Sequence, residues 1–185
     1  MTLQAHEFEV SRFWIKFFSD SQKLHIPALQ FWRDGSFNYP ARQGNLVPDG
    51  TALLKVKGKT RVFCLEMDRS TQSRGSEVQP GGVIHHKLIR YRQLSRAFRQ
   101  DSTLAPYQPH SLRVVFVCQT EQRLESLRHL ASEMGMGNLV TFTCVGRFLE
   151  ITNPITASGW DYRSANLFSA SLFSFPARPP PRPLL

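Results

Sequence analysis

Apolar residues along this chain fall into two kinds of spacing. Over residues 5–20, Val10, Phe13, Trp14, Phe17 and Phe18 recur every three or four positions, which gathers them on one face of a helix. Residues 83–99 repeat the pattern, with Ile84, Leu88, Tyr91, Ser95 and Phe98 as the inner stripe. Residues 121–134 make a third amphipathic helix, closed by Gly135. Between the helices lie shorter runs. Residues 26–33 read as a short strand, and residues 49–57 and 60–68, with the turn at Gly58, read as a β-hairpin. Residues 112–118 are apolar and β-branched, so they predict a buried central strand, and 139–145 predict another. Residues 34–45 are turn-rich and read as a loop, as do the polar residues 70–82.

The order is helix, strands, helix, strand, helix, strand. Such alternation predicts an α/β fold with a mixed central sheet flanked by helices. No internal repeat is visible. From about Ser164 the pattern fades into a Pro-rich end, so one domain is expected over 1–163 and a disordered tail over 164–185.

Composition adds a partner class. The 185 residues carry 23 Lys and Arg against 14 Asp and Glu, a formal charge of +9. A balance this basic suits a polyanionic partner, nucleic acid or an anionic membrane surface. The three cysteines, Cys64, Cys118 and Cys144, sit inside apolar runs, match no zinc spacing and are odd in number. They read as buried hydrophobes of a reducing compartment. No apolar stretch is long enough to span a bilayer, and the first residues lack a signal-peptide pattern. A cytoplasmic protein without a membrane partner is expected.

The candidate chemistry is acidic. Asp49 precedes the first hairpin strand, and Glu66 and Asp68 end the second. Residues two apart on a strand share a face, so Glu66 and Asp68 point one way while Phe63, Leu65 and Met67 point into the core. Three crowded carboxylates, Asp49, Glu66 and Asp68, suit Mg²⁺ or Mn²⁺, which would polarise a phosphate and activate a water for phosphodiester hydrolysis. The plainer alternative leaves these acids solvated or paired with Arg69, Arg74 or Lys87. Lys87, in the first turns of the second helix, is placed to reach the carboxylates and serve as a fourth catalytic residue. Arg69, Lys87, Arg90, Tyr91, Arg92 and Arg96 are the expected DNA-binding set, beside His85, His86 and Arg99. His85 and His86 are adjacent, point in different directions, and make a poor metal pair.

Taken in order, these motifs resemble the replication-relaxation family, plasmid and integrative-element proteins implicated in DNA relaxation and replication. The resemblance rests on Pro48-Asp49-Gly50, on Glu66-Met67-Asp68-Arg69-Ser70-Thr71, and on Lys87-Leu88-Ile89-Arg90-Tyr91. It extends over residues 6–163, taking in the opening helix with His6, the strand and helix after residue 112, and Trp160. It implies a fold like that of PD-(D/E)xK nucleases. Asp49 and Glu66 then match the two acids of that motif, whereas Asp68 stands where its lysine belongs. The resemblance lets Lys87 supply the lysine from the helix and Glu9 an extra helix-borne acid. Relatives carry a winged-helix DNA-binding domain ahead of this one, which this chain is expected to lack. The implied function is that of a DNA-associated accessory protein in plasmid or mobile-element replication. The alternatives are a Mg²⁺-dependent endonuclease or nicking enzyme, and a module that docks on a relaxase or replication initiator.

Overall fold

A computed structural model describes residues 3–33, 35–68 and 82–146. Helix α1 (Leu3–Lys23) leads into strand β1 (Ala28–Arg33), a short pair β2 (Tyr39–Ala41) and β3 (Gly44–Leu46), and the hairpin β4 (Gly50–Val56) and β5 (Lys59–Met67). Helix α2 (Val83–Ala97), β6 (Ser111–Cys118), α3 (Glu121–Glu133) and β7 (Val140–Cys144) complete the described chain. The five-stranded sheet runs β1-β4-β5-β6-β7. Its first three strands are antiparallel, whereas β5, β6 and β7 are parallel neighbours. The expected mixed α/β sheet flanked by helices is therefore present.

The hairpin turn explains its own sequence. Val56 pairs with Lys59 across a two-residue loop, and both loop residues, Lys57 (φ 49°) and Gly58 (φ 76°), adopt positive φ. Tight hairpins of this type need that conformation at both central positions to match the strand twist.

Both faces of the sheet are covered. On one, Phe63, Leu65, Met67, Val115 and Val117 pack with Val10, Phe13, Trp14 and Phe17 of α1. On the other, Val62, Cys64, Val114 and Phe116 pack with Leu88, Tyr91 and Leu94 of α2 and Leu124 and Leu127 of α3. The core is thus not confined to the side of Phe63, Leu65 and Met67. Successive residues of β5 enter two different apolar clusters, and Glu66 itself is only 3% exposed. In α2 the inner stripe contains Leu94 in place of Ser95, whose hydroxyl donates to the carbonyl of Arg92.

Residues 34–45 hold more order than a loop. Tyr39–Ala41 and Gly44–Leu46 pair antiparallel, Gly44 turns with φ 92°, and Phe37 and Leu46 are buried in the α2-side core. The three cysteines are buried, and burial pushes the Cys64 thiol up to about 12. No helix among the described residues is long and apolar enough to cross a membrane. Arg69, Arg74, Trp160, nearly all of the 70–82 loop and the Pro-rich tail lie outside the described residues.

Candidate functional site

Hairpin register brings the acids together. Gly50 pairs with Leu65, and the Asp49 backbone N–H donates to the Leu65 carbonyl at 3.0 Å. Asp49 therefore lies beside the end of β5, and its Oδ2 accepts the Met67 N–H at 2.6 Å. Its Oδ1 lies 3.5 Å from Nε2 of His6 on α1. Glu66, one residue from the end of β5, turns to the α2 face. Lys87 and Tyr91, one helical turn apart on α2, reach it together: Lys87 Nζ pairs with Oε2, and the Tyr91 hydroxyl donates to Oε1.

Asp68 shares the Glu66 side of the strand but belongs to another partner. Arg123 of α3 grips it through two nitrogens, Nε to Oδ2 at 2.7 Å and Nη2 to Oδ1 at 3.2 Å. That bidentate geometry is the strongest form of Arg–carboxylate pairing. Backbone pairing supports it, because the Asp68 N–H donates to the Val117 carbonyl at 2.8 Å.

These groups line a cavity of about 260 Å³ walled by His6, Asp49, Glu66, Asp68, Lys87 and Phe116, among others. It lies where the parallel strands β5 and β6 end and α2 begins, the place where α/β sheets characteristically bind ligands. Burial raises the Glu66 carboxyl; Lys87 pulls it back and nearby Asp49 raises it again, leaving it at about 7. Burial pulls the Lys87 ammonium down, but Glu66 and Asp49 outweigh it, so its pKa is raised. Lys87 thus stays charged at neutral pH while Glu66 titrates there.

The expected residues fare differently. Asp49, Glu66, Asp68 and Lys87 meet at one cavity, with Glu66 paired to Lys87 as the plainer alternative held. Tyr91, placed in the DNA-binding set, is fully buried and turned to Glu66, so it faces no partner outside the fold. Arg90 donates to the carbonyls of Gln43 and Asn45, and Arg92 to that of Met134, so both also brace the fold. Arg96 is exposed. Glu9 pairs with Arg12 at 3.3 Å and is not among the described residues lining the cavity. His6 stands over Asp49 instead.

Two residues had no role assigned from the sequence. Arg123 lay in the third amphipathic helix without being singled out. His6 entered only as part of the opening helix that the resemblance takes in.

The resemblance implies a divalent cation, and the donor set answers it in part. Among the described residues no group of three or more His, Cys, Asp and Glu side chains is arranged to hold a metal ion. Asp68 does not fit, because Arg123 takes both its oxygens. Asp49 and Glu66 are engaged as well, Asp49 with the Met67 N–H and His6 and Glu66 with Lys87 and Tyr91, so a cation held by these two carboxylates would have to displace His6 and Lys87, with water and phosphate completing the shell. No protein-family model, curated protein or solved structure matches this chain.

Proposed function

We propose that this chain is a DNA-associated protein built on a PD-(D/E)xK nuclease-like scaffold, acting in replication or relaxation of plasmid or mobile-element DNA. The observation that carries the reading is Lys87 on Glu66 beside Asp49. Two acids at the ends of adjacent strands and a lysine from the following helix make a phosphate-directed site where the parallel strands β5 and β6 end. The formal charge of +9 favours a polyanion approaching it.

Each residue has a distinct task. Lys87 offers the cation that a phosphodiester oxygen would meet. Asp49 and Glu66 would hold Mg²⁺ or Mn²⁺, which when bound polarises the phosphate and lowers the pKa of a water. Tyr91 fixes the Glu66 carboxylate from within the core. Asp68 holds α3 against the sheet end through Arg123.

A second reading, a metal-dependent DNA endonuclease or nicking enzyme, is favoured by that same lysine. In it Lys87 stands in for the lysine that the motif places at the position of Asp68. One experiment separates the two. Supercoiled plasmid is incubated with the protein in Mg²⁺, in Mn²⁺ and in EDTA, beside the Asp49→Ala/Glu66→Ala double variant. Metal-dependent nicking lost in the variant establishes the nuclease. A salt-sensitive gel shift without cleavage, surviving the double substitution, establishes a DNA-holding protein. Neither cleavage nor a shift overturns both readings.

A further inference from the structure

The cavity at Glu66 does not end at Asp49. His6 and Asp49 also line a second cavity of about 340 Å³, whose other walls are Glu7 and Val10 of α1, Arg33 at the end of β1, and Ser36. The two cavities therefore adjoin through one shared pair of residues. A group in the second would sit next to a group at the acid site.

The lining decides what kind of group fits. An isolated phosphate would meet Arg33, but also the carboxylates of Glu7 and Asp49, so charge does not favour it. A cation would meet Arg33. A ligand that both donates and accepts hydrogen bonds and has an apolar body satisfies all walls at once. Arg33 and Ser36 supply donors, Glu7 an acceptor, and Val10 an apolar surface.

We propose that this second cavity receives an unpaired nucleobase of the DNA strand whose backbone lies at the Asp49–Glu66–Lys87 site. The inference rests on the DNA reading above and deepens it: the substrate class becomes single-stranded or locally unpaired DNA. A base carries ring nitrogens, carbonyls and amines around a flat apolar body, the combination that the walls present. In a duplex those edges are occupied by the complementary strand.

The test uses three fluorescent probes of matched length: a duplex, its single strand, and that strand with an abasic centre. Binding is read by anisotropy in EDTA, so that no cleavage intervenes. The intact single strand is expected to bind about tenfold more tightly than the abasic one, the worth of one or two hydrogen bonds to charged groups. Glu7→Gln and Arg33→Gln are each expected to shrink that gap. Both residues are exposed, so neither substitution opens the core. Equal affinity for intact and abasic strands, or a gap that persists in both variants, overturns the inference and leaves DNA association standing. Failure to bind any of the three probes overturns the DNA reading and the inference with it.

Discussion

Lys87 of α2 and Glu66 of β5 meet as an ion pair on the wall of the site, with the glutamate side chain 3% exposed and the lysine side chain 25% exposed. The pair is lopsided in solvation. Lys87 keeps contact with water at the cavity, whereas Glu66 relies on Lys87 and Tyr91 for all the polar company described for its oxygens. A buried carboxylate held this way is costly to leave alone. The site is therefore also a stability element, and variants there must be read for folding before activity.

Replacing Lys87 with Met strands Glu66 with one hydroxyl donor. Removing one member of a buried pair costs about 3–5 kcal/mol while the survivor stays charged, so the loss should grow as pH rises above about 7, where Glu66 ionises. Adding Glu66→Gln should recover much of that loss, because the uncompensated charge disappears. Urea unfolding of the two single variants and the double variant measures this. A double variant less stable than Lys87→Met would show that the pair carries no such coupling.

The titration of Glu66 sets a pH dependence. Its folded value, about 7, lies above its ordinary 4.5. Between those values the folded state binds more protons than the unfolded one, so stability from this group is full below about pH 4.5 and lost as pH rises through about 7. The total is about 3 kcal/mol. Wild type should lose stability relative to Glu66→Gln between about pH 5 and about pH 8. Parallel stability curves for the two proteins would refute the shift.

Much of this fold was legible in the sequence, and the failures have physical causes. The helices and buried strands announced themselves because their periodic faces are long enough to outweigh local noise. The hairpin was readable from the turn ahead of Lys59. The pair β2–β3 was not, because strands of three residues with Pro40 and Gly44 look like turn chemistry, and burial of Phe37 and Leu46 fixes them. At the site, Asp49, Glu66 and Lys87 were legible from spacing. Arg123 was not, since it meets Asp68 across 55 residues of chain, a distance over which spacing carries no information. Tyr91 was misplaced for a related reason: the same helical spacing that links it to Lys87 also puts it on the buried stripe, and burial won.

Asp68 and Arg123 give a third prediction. If Asp68 is structural, Asp68→Asn weakens the anchor of α3 without removing a metal ligand. The pair is buried at 6% and 12% side-chain exposure, so Arg123→Met alone should cost about 3 kcal/mol or more. The Asp68→Asn/Arg123→Met double variant should cost less than the two single losses summed. Isothermal titration of Mn²⁺ adds the functional half. Binding should survive Asp68→Asn and fail in Asp49→Asn. Loss of Mn²⁺ binding in a folded Asp68→Asn protein would return Asp68 to the metal set.

The last prediction concerns how α1 is held over the acids. A Cβ built on Gly50 would fall 2.5 Å from Nε1 and 2.9 Å from two carbons of the Trp14 ring. That ring is buried and locked among aromatics, with its centroid 4.8 Å from that of Phe31 and 5.3 Å from that of Phe17. It cannot swing aside cheaply, so a methyl group at position 50 must push the helix off the sheet. The glycine is there for clearance, and the residue before it is Asp49, the partner of His6 two helical turns from Trp14. Gly50→Ala should therefore cost about 1–3 kcal/mol by overpacking. It should also weaken whatever His6 and Asp49 bind by more than the lost stability explains. A cycle with Trp14→Leu tests the cause: in that background the added methyl has room, so Gly50→Ala should become nearly neutral. An undiminished cost there would place the strain in the strand backbone and free α1 from any dependence on this contact.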